Sequence, residues 1–343
     1  MFSVPIVDIS SYVDPNGSPA DREQVARALD IACGGVGFIQ VIGHGVDPAI
    51  TEGLTTALDE FYDLPLDRKK RYARPGENRG YTPPKSESLS MSLGVPPANR
   101  MNDFYEAFTV GAEREWYQGV DLPESSYSDN TWPAAAPSFQ PAVLAWFAAA
   151  REVSRVLLTA FTDALGLAPG YFEHMIDYSI DTLKMNNYTL PEGEIELAGE
   201  LTGMGAHTDF GILTVLWADR VPGLQVLDHE GVWHDVQPAD GALLVNLGDA
   251  MARWTNDRWR STVHRVDPPV VDGRILRRRS AAFFFDGNFD AVIETLPGCA
   301  RTDHPGYPPI TVADNINAKL AGMKAGIAPE GAEREARRVL AAG

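Results

Sequence analysis

Between Leu183 and Val292 the chain breaks into short apolar stretches, each closed by Gly, Pro or Asp, and this texture narrows the possible folds more than any other feature. The stretches are Leu183–Thr189, His207–Trp217, Leu224–Leu227, Val232–Val236, Ala242–Asn246, His264–Val266 and Ser280–Phe285. Many short β-prone runs with tight turns between them predict a sandwich or barrel of jelly-roll type. No internal repeat is visible.

The flanking regions read as helices and a few further strands. Val4–Asp8 is a brief extended piece; a helix is expected over Ala20–Cys33, opened by Ser18-Pro19 and stopped by Gly34-Gly35. A strand over Gly37–Ile42, a helix over Pro48–Tyr62 and a helical turn over Asp67–Tyr72 follow. Residues 74–100 are rich in Gly, Pro and Ser and predict a long excursion, read either as a substrate-contacting loop or as a plain surface loop. Asp103–Val110 is a strand candidate. Ser138–Leu165 is the longest helical pattern, with Val143, Phe147, Ala150, Val153, Leu157 and Phe161 on one stripe and Gly166 as its stop. A last helix is expected over Thr311–Lys324. The expected organisation is a mainly β chain with flanking helices: an α/β region over 1–115 packed on the core without being an independent domain, a jelly-roll core with supporting helices over 116–325, and a tail over 326–343.

With 343 residues, 44% of them apolar, the chain can fill a large core. A formal charge of -18 argues against nucleic-acid and anionic-membrane binding, both of which rely on positive surface. No apolar run reaches the ~18 residues of a membrane span. The two cysteines, Cys33 and Cys299, lie outside any CxxC and read as free thiols in a reducing, cytoplasmic compartment.

Within the β-rich region, three pairs of residues carry the chemistry. In His207-Thr-Asp209 the two donors stand two apart, so on a strand both side chains leave one face. A third donor, His264, is too distant in sequence for local structure to bring it there, but a neighbouring strand can. Two imidazoles and one carboxylate leave the opposite positions of a metal open, which suits non-haem Fe(II) that activates dioxygen. His44, His174, His229, His234 and His304 lack comparable partners and read as structural; His234, next to Trp233 in a strand, is the one spare ligand candidate. In Arg278-Arg-Ser280 a planar guanidinium and a hydroxyl share a face and form a receptor for a carboxylate. Asn186-Asn-Tyr188 repeats the spacing with an amide and a phenol. The charges of Fe(II) and Arg278 would cancel those of Asp209 and a bound dicarboxylate, as a buried site requires. Arg274 and Arg277 read as a solvated basic turn.

This set resembles the signature of the Fe(II)/2-oxoglutarate-dependent dioxygenases, in the subgroup related to isopenicillin N synthase. Val4–Asp8, Gly37–Gly45, Phe61–Pro65, Asp103–Phe108, Pro222–Val226 and Asn246–Asp249 support the likeness, which extends over roughly residues 4 to 325. The resemblance implies a double-stranded β-helix core, iron held by His207, Asp209 and His264, and 2-oxoglutarate received by Arg278 and Ser280 with help from Tyr188 and Asn186. It further implies consumption of O2, release of succinate, and hydroxylation, desaturation or ring closure of a small-molecule, biosynthetic substrate. Such an oxidant must be shielded from water. Phe284, on the face of Arg278 and Ser280, and Phe210 are expected on the substrate side, with Phe104 and Tyr81 as further candidates. Two alternatives stay open: an iron oxidase that uses dioxygen without 2-oxoglutarate, and a non-catalytic jelly-roll that binds metal or ligand.

Overall fold

The computed structural model describes residues 2–84, 86, 105–189, 203–267, 270–271, 274–302 and 306–325. Phe104, His304, most of the excursion beyond Thr82 and the 326–343 tail lie outside the described residues. In chain order the elements are β1 (Ile6–Asp8), α1 (Ser10–Val13), α2 (Pro19–Gly35), β2 (Phe38–Ile42), α3 (Pro48–Tyr62), α4 (Leu66–Lys69), β3 (Gly80–Thr82) and β4 (Glu106–Gly111). Next come α5 (Phe139–Ala164), β5 (Thr182–Tyr188), β6 (Met204–His207), β7 (Leu213–Ala218), β8 (Leu224–Leu227), β9 (Trp233–Asp235), β10 (Leu243–Leu247) and α6 (Asp249–Trp254). The chain continues through β11 (His264–Val266), β12 (Val270–Val271), β13 (Arg274–Ile275), β14 (Arg278–Phe285), β15 (Val292–Ile293), β16 (Ile310–Thr311) and α7 (Val312–Ala325).

An eight-stranded sheet in the order β1-β2-β10-β7-β14-β5-β4-β3 faces a four-stranded sheet in the order β6-β11-β8-β9. Every pairing in the two is antiparallel except β1 with β2. This is the expected jelly-roll arrangement: two sheets with their inner faces together.

The period-2 alternation of β14 decides where each layer lies. Ala281, Phe283 and Phe285 are buried on the helix side, where Phe147 of α5 meets Phe283 edge-on with ring centroids 4.9 Å apart. The stripe expected on α5 is the one buried there, from Val143 and Phe147 to Leu157 and Phe161. Burial of a stripe of this kind contributes about 1.5–3 kcal/mol for each large side chain. On the opposite face, Phe38, Leu224, Val226, Leu244 and Val266 pack between the two sheets. The site opens where that apolar filling gives way to polar residues.

The N-terminal region is stitched into the larger sheet. It supplies β1, β2, β3 and β4, Tyr62 of α3 donates its hydroxyl to the Met185 carbonyl at 2.6 Å, and a buried Lys69–Glu106 ion pair closes at 2.7 Å.

Two local expectations need correction. His207–Trp217 is not one strand: β6 ends at His207, the chain turns through 208–212, and β7 lies in the other sheet. The turn is clamped because its carbonyls accept the first amides of α6, Asp249 N to Asp209 O at 2.8 Å and Ala250 N to Gly211 O at 3.1 Å. Gly34 and Gly35 do not stop α2 but form its last two residues; the reversal falls on Gly37, whose φ of 71° and close approach to the Arg260 carbonyl leave no room for a side chain.

Candidate active site

His207, Asp209 and His264 offer three ligand atoms that all lie within 4.8 Å of one another. The two imidazoles come from neighbouring strands of the smaller sheet, because β11 pairs with β6 with His264 directly opposite His207. Their ring centroids are 4.3 Å apart. Asp209 comes from the clamped turn, so its carboxylate reaches the site through the turn and not through strand parity.

Each donor is aimed by a partner on its far side. His207 Nδ1 meets the Gly205 carbonyl at 2.7 Å and His264 Nδ1 meets the Thr262 carbonyl at 3.1 Å. A ring nitrogen that donates to a carbonyl leaves the other, Nε2, with its lone pair for a metal. Oδ1 of Asp209 faces those Nε2 atoms, 3.9 Å from His207 and 3.8 Å from His264. Its other oxygen, Oδ2, accepts from Thr214 Oγ1 at 2.5 Å and from Asn246 Nδ2 at 2.7 Å.

Burial and neighbouring groups together set the protonation of His207 and Asp209. Loss of hydration, reinforced by the neighbouring His264, pulls the His207 imidazole down to about 3 against the pull of Asp209, so it is neutral at physiological pH. Burial alone would raise the Asp209 carboxyl; His264, His207 and the bonds from Asn246 and Thr214 outweigh it and hold the group below its ordinary range. A neutral imidazole beside an anionic carboxylate is the state in which both bind metal. The donor set of two nitrogens and one carboxylate oxygen on one side fits Fe(II) with its opposite positions open.

The cavity beside these donors is floored by alternate residues of the larger sheet. Thr182, Lys184, Asn186 and Tyr188 of β5 and Arg278, Ser280, Ala282 and Phe284 of β14 all line it. The register places Arg278 opposite Tyr188 and Ser280 opposite Asn186. Arg278 is buried, its guanidinium carbon sits 5.2 Å over the Tyr188 ring, and its Nε and Nη1 have no hydrogen-bond partner among the described residues. Oδ1 of Asn186 is likewise without one, while its Nδ2 reaches Ser280 Oγ at 3.5 Å. Orphaned donors on a buried guanidinium cost about 1–3 kcal/mol or more each. They fit a carboxylate that arrives from outside the protein.

Of the expected substrate-side residues, Phe284 and Phe210 line the cavity. Tyr81 does not: its ring packs in the helix-side core against Phe61, and its hydroxyl donates to Glu106. The reason is strand parity, since Tyr81 follows Gly80 on β3 and faces away from the neighbours that line the cavity. His234 is not a spare ligand; it bonds Asp228 at 2.6 Å and stacks on Phe2. Arg277 is no solvated turn, because it reaches Asp63 at 2.7 Å and Asn187 at 2.8 Å. Thr214, Lys184, Arg79 and Asp286 also line the cavity. Parity with Asn186 is the signal that marks Lys184, and a threonine alternating with Leu213 and Val215 is the signal that marks Thr214.

A family model described as the 2OG-Fe(II) oxygenase superfamily matches residues 180–287, and one described as the N-terminal region of non-haem dioxygenase in morphine synthesis matches residues 4–135. A 2-oxoglutarate-Fe(II) type oxidoreductase of Emericella nidulans is 34% identical over 320 residues, 91% of this chain and 88% of that protein. Validamycin A dioxygenase of Streptomyces hygroscopicus subsp. limoneus is 32% identical over 94% of this chain and 87% of its own length. Among solved structures, a full-length Neurospora crassa protein in complex with alpha-KG and thymine superposes with a TM-score of 0.79 at 26% identity, covering 93% of this chain and 96% of that one.

Proposed function

Because the chain belongs to the 2-oxoglutarate/Fe(II) oxygenase superfamily, we propose that His207, Asp209 and His264 hold its iron and that Arg278 and Ser280 receive the far carboxylate of its cosubstrate. The enzyme is a non-haem Fe(II) dioxygenase that couples oxidative decarboxylation of 2-oxoglutarate to oxidation of a small molecule. When bound, iron, 2-oxoglutarate and O2 together supply the oxidising power, and succinate and carbon dioxide leave. The observation that carries the residue assignment is the pairing of three preset ligand atoms with a buried guanidinium whose Nε and Nη1 lack partners among the described residues.

Each residue then has a defined task. The carbonyls of Gly205 and Thr262 hold the two Nδ1 protons, so that both imidazoles present Nε2. Thr214 and Asn246 bind one oxygen of Asp209 and leave the other to face the metal position. Arg278 supplies the charge and the fork for the distant carboxylate, Ser280 a hydroxyl beside it, and Asn186 and Tyr188 the adjoining part of the same floor. Phe284 and Phe210 line the cavity on the side left for substrate and keep water from the reacting centre.

Relatives named as a Validamycin A dioxygenase and a Clavatol oxidase support a place in secondary metabolism, and two buried free thiols, Cys33 and Cys299, support a cytoplasmic location. Among the described residues no helix is long and apolar enough to cross a membrane. The test is anaerobic titration of Fe(II) followed by measurement of succinate and carbon dioxide on exposure to O2. Wild type should bind one iron per chain and release both products; Asp209→Ala should lose iron and product release together. Iron binding and turnover that survive this substitution would sink the ligand assignment.

A further inference from the structure

The cavity holds a second arginine that the cosubstrate does not use. Arg79 stands just before β3, lines the cavity and is only 6% exposed. Its Nη1 donates to the backbone carbonyl of its own neighbour Asn78 at 2.7 Å, and its Nε has no hydrogen-bond partner among the described residues. The nearest acid in sequence, Glu77, pairs instead with Arg74 at 2.6 Å. Glu113 lies within electrostatic reach, but its carboxylate accepts from the Asn130 amide at 2.7 Å. Burial pulls the Arg79 guanidinium down to about 10, so it remains cationic at neutral pH.

Its place is at the other end of the cavity floor from Arg278. Gly80 pairs with Thr109, Gly111 with Thr182, and Thr182 with Phe284. Arg79 packs against Gly111, where a Cβ would come within 2.2 Å of Nη2, so the missing side chain is what seats it. Arg278 lies six residues back along β14, about 20 Å for an extended strand. One arginine therefore serves each end of the same sheet face.

The donors at the Arg79 end are not all satisfied among the described residues. Iron and Arg278 balance Asp209 and 2-oxoglutarate. Asp286, which also lines the cavity, lies within electrostatic reach of Arg79 but makes no hydrogen bond or ion pair with it among the described residues. A buried guanidinium donor left unbonded is costly, and a carboxylate brought in by the substrate would satisfy it.

We propose that the substrate oxidised by this enzyme is a carboxylic acid, its carboxylate received by the guanidinium of Arg79 and its apolar body lying against Phe210 and Phe284. The proposal rests on the reading that Arg278 takes the cosubstrate. It makes Arg79 the residue that decides which substrate class is accepted.

The experiment uses the full chain loaded anaerobically with Fe(II) and 2-oxoglutarate, whose visible absorption band reports the iron–cosubstrate chelate. Benzoate, phenylacetate and hexanoate are each titrated against their neutral amides, with the change in the band as readout. At least one acid should bind about tenfold or more tighter than its amide, as a charge-assisted bond predicts. Arg79→Gln should erase that preference while the band still forms, and Arg79→Lys should restore part of it. Equal binding of every acid and amide overturns the proposal. So does a preference that survives Arg79→Gln, or one that survives excess 2-oxoglutarate only when Arg278 is intact, which would put the acid at the cosubstrate seat. A wild-type protein that never develops the band overturns instead the cosubstrate reading, and this proposal with it.

Discussion

Asn246 of β10 donates its side-chain amide at 2.7 Å to the Asp209 oxygen that faces away from the two histidines. A bond from the larger sheet thus fixes the one donor that lies on no strand. Asn246→Ala should weaken iron binding by about 10- to 100-fold, the range for loss of a partner that orients a metal ligand. Competition with a coloured chelator would measure it; an unchanged affinity would mean that Thr214 and the turn suffice to hold Asp209.

Arg278→Gln should act on the cosubstrate and not on the metal. Loss of a charge-assisted bond costs about 1.5–3 kcal/mol, so the KM for 2-oxoglutarate should rise by roughly 10- to 150-fold. Iron affinity in the absence of 2-oxoglutarate should stay near wild type. A KM that does not move would mean that the far carboxylate of 2-oxoglutarate is received elsewhere than at Arg278.

Lys69 and Glu106 form an ion pair at 2.7 Å with both side chains buried, and Tyr81 and Asn187 donate to the same carboxylate. Lys69→Met would strand a buried charge, at a cost of about 3–5 kcal/mol by urea denaturation. The double variant Lys69→Met/Glu106→Leu should recover part of that loss. A single variant as stable as wild type would show that the pair contributes nothing.

The metal-free protein should lose stability on acidification. His207 is held to about 3 in the fold by burial and by His264, against an ordinary value of 6.5, so below that ordinary value the unfolded chain takes up a proton that the folded one refuses. Asp209, held below its ordinary 3.8, adds a loss of the same sign at still lower pH. Stability should therefore be level above about pH 6.5 and fall by up to about 1.4 kcal/mol per pH unit below it. His207→Asn should flatten the slope between about pH 6.5 and 4; an equally steep slope would assign the acid sensitivity elsewhere.

Much of this was legible in the chain. Strand parity alone carried Asn186 with Tyr188 and Arg278 with Ser280 to the faces where they are found, because a period of two survives any twist of the sheet. The same rule failed for Asp209. An apolar run from Phe210 to Trp217 hides the break at 208–212, which is held by tertiary bonds to the start of α6 that no local pattern records. It could not be applied to Tyr81, since a three-residue strand within a Gly- and Pro-rich stretch gives no phase to read from sequence. Arg79 escaped for a related reason: what distinguishes it is an unsatisfied donor, and that becomes visible only once the neighbours are in place.

The direct opposition of His264 and His207 across β6 and β11 has a consequence for quality control of the purified enzyme. A register irregularity between His264 and Val266 pins that pairing, and a slip of one residue would send one imidazole to the wrong side of the sheet. The same slip would turn Val266 out of the packing between the two sheets and Arg265 into it. Molecules unable to take up iron should then also melt earlier, so metal stoichiometry and melting temperature should fall together in a preparation that contains them.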